Sequence, residues 1–307
     1  MNHHSFLPRF VAALALCATS TTVLSVAGAP AHASDYSAAD RIAELIDEVA
    51  PSQGQVEQTD ATSAAFSTDV ADLPLTDSAP VSVAGGDVPL HVYLPEETAT
   101  GHGVGAADGT VVYKSSHSGA DVAAQVLASD KVRIQTVIHG PGDPHEFTYE
   151  LGNGYMPLQA ADGSIWAYRF DQNGAIDIYG VGEAWARDAD GAVVNTHYEI
   201  RGNSLVQVVT PTGETVYPVV ADPTWEWYNA AYGAGFSKHE TRDLANLGGI
   251  AGLCSSLWRW PALGAACGIA GFQWWTQAGL AVNADGCVFI AAVPAPLAVR
   301  WLSSACR

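Results

Sequence analysis

Basic side chains are scarce in this chain. Thirteen Lys and Arg stand against 32 Asp and Glu, a formal charge of −19, and from Ile42 to Tyr113 twelve acids occur without a single Lys or Arg. Such a surface repels nucleic-acid phosphates and anionic lipid head groups, so nucleic acid is excluded as a partner, and solubility is favoured. Cysteine is missing between Cys17 and Cys254, and no two cysteines are spaced C-x-x-C, which argues against the usual zinc-ligand spacings. Neither G-x-S-x-G nor H-E-x-x-H is present, so the common nucleophile and zinc-hydrolase motifs are absent. Gly101-His-Gly-Val-Gly105 does not sit between a strand and a helix of a βαβ unit, and a nucleotide loop is not supported. Paired carboxylates for glycoside hydrolysis are a spatial arrangement that the sequence leaves open. No catalytic, cofactor-binding or metal residue is assigned and no cofactor is expected; enzyme status stays open, with a non-enzymatic protein favoured.

What is present begins with an export signal. His3, His4 and Arg9 precede an uncharged apolar stretch from Phe10 to Val26, followed by Ala31-His32-Ala33. A basic start, a short apolar core and a small-x-small site form the pattern of a cleaved signal peptide, expected at 1–33, and the core is too short to span a bilayer. Cys17 lies in mid-core without the small residue that precedes a lipidated cysteine. The expected location is secreted, extracellular or associated with the cell envelope.

Four cysteines remain after the leader: Cys254, Cys267, Cys287 and Cys306, all within the last 54 residues. An even number in one short segment of an exported chain reads as two disulfides. Of the three connectivities, Cys254 to Cys267 and Cys287 to Cys306 is preferred, because near neighbours in a helical hairpin meet most easily. The charge divides at the same place: residues 231–307 carry +2, whereas the rest of the mature chain carries −22. Asymmetry of this kind marks different partners or different tasks.

Along the chain, Ser37 and Asp40 resemble a helix cap, and Ile42, Leu45, Ile46 and Val49 share one helical face before Pro51, which predicts a short amphipathic helix at 34–50 that packs on its own domain. Residues 51–80, rich in Ser, Thr, Gln, Ala and Asp, read as an acidic linker. From 81 to 225 the signals are antiparallel: Asp108-Gly109, Asp162-Gly163, Asn173-Gly174 and Asp190-Gly191 are turn dipeptides, Trp166, Tyr168 and Phe170 alternate on one face, and Val194, Thr196, Tyr198 and Ile200 on another. The expected fold class is α+β: an antiparallel meander forming a sandwich or open barrel, ended by Pro218 and Pro223, and then a small disulfide-linked helical domain at 226–307. In that domain Ser237 and Glu240 form a capping box before Leu244, Leu247, Ala251 and Cys254.

The string Tyr217-Pro-Val-Val-Ala-Asp-Pro-Thr-Trp225, closing the stretch from about Val81, resembles the β-domain of secreted actinobacterial proteins, most of which have no assigned function. Phe236-Ser-Lys-His-Glu-Thr-Arg242 and the cysteines after it resemble the helical tail of the same group. The resemblance implies export and a two-part organisation, and carries no catalytic residue.

Three patterns invite a sharper reading. His139-Gly-Pro-Gly-Asp143-Pro-His145-Glu146 gathers potential metal ligands but reads better as a loop between strands. Asp188-Ala-Asp190-Gly191 has part of a calcium loop, yet Ala186 stands where the first ligand belongs, and a hairpin turn explains it better. Trp260 to Ala284 is a 25-residue run without charge, including Gly264 and Gly268 at GxxxG spacing; a buried helical hairpin is favoured over a membrane segment, given Gln273, Thr276, Gln277 and Cys267 within it. Trp258, Arg259, Trp260, Trp274, Trp275, Arg300 and Trp301 are the candidate membrane or partner surface. The functional expectation is a secreted, non-enzymatic protein that binds an envelope polymer or touches membrane through its C-terminal domain. The alternative is a toxin-like or antimicrobial protein whose Trp-rich tail is an effector masked by the acidic β-domain.

Overall fold

The computed structural model describes residues 31–62, 65–86, 88–116, 119–160, 163–170, 176–228, 232–257, 260–293, 296–301 and 306. The body of the leader with Cys17, and the turn residues Asp162, Asn173 and Gly174, lie outside them. The fold is α+β and mostly antiparallel, as the turn and alternation signals predict, and among the described residues no sheet closes into a barrel.

Helix α1 (Ala31–Val49) opens the described chain. Ala39, Ala43, Ile46 and Val49, spaced by three and four, bury one face against Val112, Ala123, Val137 and Val220 of a sheet. The predicted amphipathic helix thus docks on its own domain.

Residues 51–80 are not a linker. They supply β1 (Asp60–Ala61), β2 (Ala65–Ser67) and β3 (Ala71–Pro74), which with β4 (Val81–Val83) and β5 (Leu90–Val92) make a five-stranded sheet in chain order. Leu73 is fully buried in the main core. These strands are two to four residues long, too short for composition or period to reveal them.

The largest sheet is ten-stranded. It contains β6 (Thr100–Gly105), β7 (Val111–Ser115), β8 (Asp121–Leu127), β9 (Lys131–Ile138), β11 (Met156–Gln159), β12 (Ile165–Phe170), β13 (Ile176–Val181), β14 (Ala186–Arg187), β17 (Val219–Ala221) and β18 (Thr224–Tyr228). A third sheet pairs β10 (Glu146–Glu150), β16 (Ser204–Thr210) and β15 (Asn195–Arg201). The three sheets enclose one core with Leu73, Val81 and Leu90 from the first, Tyr113, Val122 and Ile134 from the second, and Phe147, Tyr149 and Leu205 from the third. Because β8 and β9 also carry α1 on their outer face, they are buried on both sides, with Asp121, Gln125, Arg133, Gln135 and Thr136 buried among their apolar residues.

The Tyr217–Trp225 string does not end the sheet, contrary to the proline argument. β17 pairs with Thr136–Ile138 and β18 with Lys131–Arg133, both on the same edge of β9. Pro223 falls in the gap between them, where its missing N–H costs no ladder bond and its carbonyl accepts the Ile134 N–H at 2.9 Å.

The C-terminal unit is mixed rather than helical. β19 (Tyr232–Phe236), β20 (Cys287–Val293) and β21 (Leu297–Trp301) form a sheet under α2 (Lys238–Asn246), α3 (Ile250–Ser256) and α4 (Pro261–Asn283). The stretch 286–299, which has no charged residue, is thus largely a strand pair, and its β-branched and aromatic residues fit that role. Ser237 and Glu240 make the predicted capping box. Gly248 and Gly249, at φ +70° and +112°, separate α2 from α3, so the face read as one helix is split.

Candidate functional site

The predicted disulfides are both present. Cys254–Cys267 ties α3 to α4, and Cys287–Cys306 ties the start of β20 to the chain end, with Cα atoms 5.5 and 5.6 Å apart. Close approach of α3 and α4 rests on Gly271, where a Cβ would lie 2.6 Å from Ile250 Cγ2, whereas Gly268 of the GxxxG pair faces open space. Gln273 holds α4 to the sheet, donating to the Ala298 carbonyl at 3.0 Å and accepting its N–H at 3.1 Å. No helix among the described residues is long and apolar enough to cross a membrane.

The tryptophans proposed as a surface are mostly structural. Trp274 is fully buried in the tail core. Trp275 is half-buried and donates to the Ala245 carbonyl at 3.1 Å, and Trp260 meets Phe236 edge-on at 5.3 Å. Trp258 and Arg259 lie outside the described residues; Trp301 closes β21, and Arg300 is exposed beside it. Instead, the outer face of α4 presents Ile269 at 70 % exposure, Phe272 at 67 % and Leu280 at 41 %, with Ile250 of α3 nearby in the same module at 39 %. This helix carries no charged residue over its 23 positions. Sequence reasoning missed the stripe because a helix apolar on all sides gives no amphipathic signal of which face is solvated.

The opposite side of the tail is covered. Ala291, Leu297 and Val299 of β20 and β21 are buried against Trp166, Tyr168 and Ile178 of β12 and β13, and Phe289 meets Phe170 edge-on at 5.9 Å. The alternating Trp166-Tyr168-Phe170 face read from the sequence is therefore where the β-domain receives the tail.

Two of the clefts among the described residues lie in the β-domain. One, of about 860 Å³, runs between the C-terminal half of α1, segment 50–56 and the β6–β7 turn, with Asp40, Glu44, Asp47 and Asp108 around it and Arg133 and Gln125 among its walls. Arg133 is buried, its Nε and Nη2 donating to Gln125 Oε1 at 3.0 and 2.6 Å and its Nη1 to the Pro51 carbonyl at 3.3 Å. Burial draws its pKa down to about 10, against the opposing charges of Asp222 and Asp47. The guanidinium thereby clamps the chain leaving α1 onto β8 and β9. The other cleft, of about 680 Å³, is lined by Asp77, Tyr93, Glu96, Glu97 and Glu150 among others.

The remaining sequence patterns resolve as backbone supports. Asp188 accepts the N–H groups of Asp190, Ala192 and Val216, so the calcium-like pattern is a turn. Asp143 Oδ2 accepts the N–H groups of His139 and Gly140, and His139 Nε2 lies 3.0 Å from Asp121 Oδ2, a hydrogen bond that raises the pKa of the imidazole. Among the described residues no group of three or more His, Cys, Asp or Glu could hold a metal ion. Deep between the sheets, Asp222 is wholly buried; Oδ1 accepts from the Trp185 N–H and from Gln207 Nε2, and desolvation pushes its pKa up to about 8. The Tyr198 hydroxyl is close enough to influence that carboxyl, although neither it nor Asp222 Oδ2 reaches a partner in hydrogen-bonding geometry. The sequence offers no sign of this residue beyond its place in the Tyr217–Trp225 string.

No family model matches the chain, and neither a curated protein nor a solved structure matches it.

Proposed function

We propose that this is an exported, non-enzymatic protein of the cell envelope, whose disulfide-linked C-terminal unit rests on a lipid surface through the outer face of α4. The observation that carries the reading is the exposed Ile269, Phe272 and Leu280 on a charge-free helix, in a module whose other face is already occupied by the β-domain. Adjacent large apolar side chains left in water mark a docking surface. With no charge on the helix, contact comes from apolar burial rather than attraction to anionic head groups, which the acidic body would oppose. The test is co-sedimentation of the mature chain with neutral phosphatidylcholine vesicles, with anionic vesicles and with insoluble cell-wall polymer. Binding to neutral vesicles that falls at least about tenfold in an Ile269→Ser, Phe272→Ser double variant supports the reading; each fully buried aliphatic or aromatic side chain contributes on the order of 1.5–3 kcal/mol. Binding to polymer alone, or to no surface, refutes it.

A second reading, an effector tail masked by the β-domain, draws on the same interface. Release of the tail would bare Phe289, Ala291, Leu297 and Val299. It is weaker, because the β-domain covers this sheet face and leaves the α4 stripe open. Leakage of anionic vesicles by fragment 229–307, absent with the mature chain, would favour it.

A further inference from the structure

Two Asp-Pro bonds occur in this chain, Asp143–Pro144 and Asp222–Pro223. The bond is chemically fragile because the side-chain carboxylate sits a five-membered ring away from its own carbonyl carbon, and the tertiary proline nitrogen leaves readily once protonated. Intramolecular attack of this kind has effective molarities as high as about 10⁵–10⁸ M when the geometry is held.

The two sites have opposite surroundings. Asp143 lies in the loop joining β9 to β10, where the walls are open: a Cβ at Gly140 or Gly142 would meet nothing within 4 Å. Its carboxylate is anchored by one oxygen only. Oδ2 accepts the His139 N–H at 2.8 Å and the Gly140 N–H at 2.9 Å, while Oδ1 takes no hydrogen bond among the described residues. His145 follows Pro144 directly, and its ring is held by Tyr217, with Nε2 3.2 Å from the phenol oxygen and the rings edge-on at 6.4 Å. Asp222, by contrast, is fully buried, and its Oδ1 is engaged by Trp185 and Gln207.

We propose that Asp143–Pro144 is a self-cleavage site, opened in mildly acid solution by the Asp143 carboxylate with His145 as proton donor. Oδ1 adds to the Asp143 carbonyl carbon. The C–N bond to Pro144 breaks, and its electron pair takes the proton from the His145 imidazolium, leaving Pro144 as a free secondary amine. Asp143 is left as a cyclic anhydride, which one water opens to two carboxyl groups, restoring a proton to the medium. The sum is hydrolysis of one peptide bond with no other reactant. It requires an ionised carboxylate and a protonated imidazole together. The other charged or titratable groups around the loop are His139, with Asp121 and Lys114 acting on it, and Tyr217.

The cut pieces stay together. β8 and β9, before the cut, stay in one sheet with β17 and β18, which come after it and pair with β9. The nick is therefore visible only under denaturing conditions.

The experiment is incubation of the purified mature protein at pH 4, 5, 6 and 7.5, followed by denaturation and mass spectrometry. The expected result is two fragments, one ending at Asp143 and one beginning at Pro144, that together weigh the intact chain plus one water and form at least tenfold faster at pH 5 than at pH 7.5. Hydroxylamine added during incubation should leave a hydroxamate at Asp143. Asp143→Ala should abolish the cut. Pro144→Ala, which keeps the carboxylate and its hydrogen bonds, should slow it at least tenfold, and His145→Gln should slow it at least tenfold at pH 6. An intact chain at every pH, or a cut that persists in Asp143→Ala, overturns the proposal. Equal cutting at Asp222–Pro223 overturns the role of the loop, and an unchanged rate in His145→Gln overturns that of the imidazole.

Discussion

Replacing Asp222 by Asn should make stability nearly indifferent to pH over a range where the parent chain loses several kcal/mol. In the folded state this carboxyl holds its proton up to about pH 8, because burial penalises the charged form; in the unfolded chain an Asp releases it near 3.9. Between those values the folded state binds more proton, so stability is complete below about pH 4, declines as pH rises, and levels off above about pH 8. At about 1.4 kcal/mol per unit, the loss between pH 5 and pH 8 is about 4 kcal/mol. Asn keeps the oxygen that accepts from Trp185 and Gln207, and sets a donor where Oδ2 has no partner, beside the Tyr198 hydroxyl. The assay is urea unfolding of both proteins at pH 5, 6.5 and 8.5. The variant should match the parent within about 1 kcal/mol at pH 5 and exceed it by about 3–5 kcal/mol at pH 8.5. Taking the difference between the two chains cancels the titration of all other groups. Parallel curves across this range would mean that Asp222 is solvated or ion-paired in solution, and would refute the argument.

Leu73→Ala should cost about 2.7–5 kcal/mol in the same unfolding assay, the range for emptying a fully buried leucine site, whereas a linker residue would cost almost nothing. Removing the α3–α4 crosslink by Cys254→Ala with Cys267→Ala should destabilise the C-terminal unit by about 3 kcal/mol, the chain-entropy value for a loop of this length, and be seen as faster amide exchange in α3 and α4 than in β8 and β9.

Much of this fold could be read before any coordinates. The Asp-Gly turns, the alternating strands and the cysteine pairing all rest on short-range rules, and each is legible within a window of about twenty residues. What failed was decided at long range. Residues 51–80 look like a linker because their strands are too short to show a period, and they order through distant partners, β3 on β4 and Val56 on Leu127. Pro223 looks like a terminator because its tolerance depends on a gap between two strands that share one neighbour. The stripe on α4 was invisible for a different reason: composition states how apolar a helix is, and only the packing of β19–β21 beneath it states which side remains outside.

The placement of β9 sets an order on how this chain must assemble. Its partner β8 lies four residues upstream and can zip locally, but β17 and β18, which cover its other edge, begin some eighty residues downstream. A chain ordering from its N-terminus would hold an open hydrogen-bonding edge on β9 until residue 226 has joined it. Such an edge is a template for joining the wrong strand, and the long separation slows the right one. Assembly of the β-domain is thus a late, all-at-once event, completed as the Tyr217–Trp225 string arrives, and any chaperone would find its target in that interval.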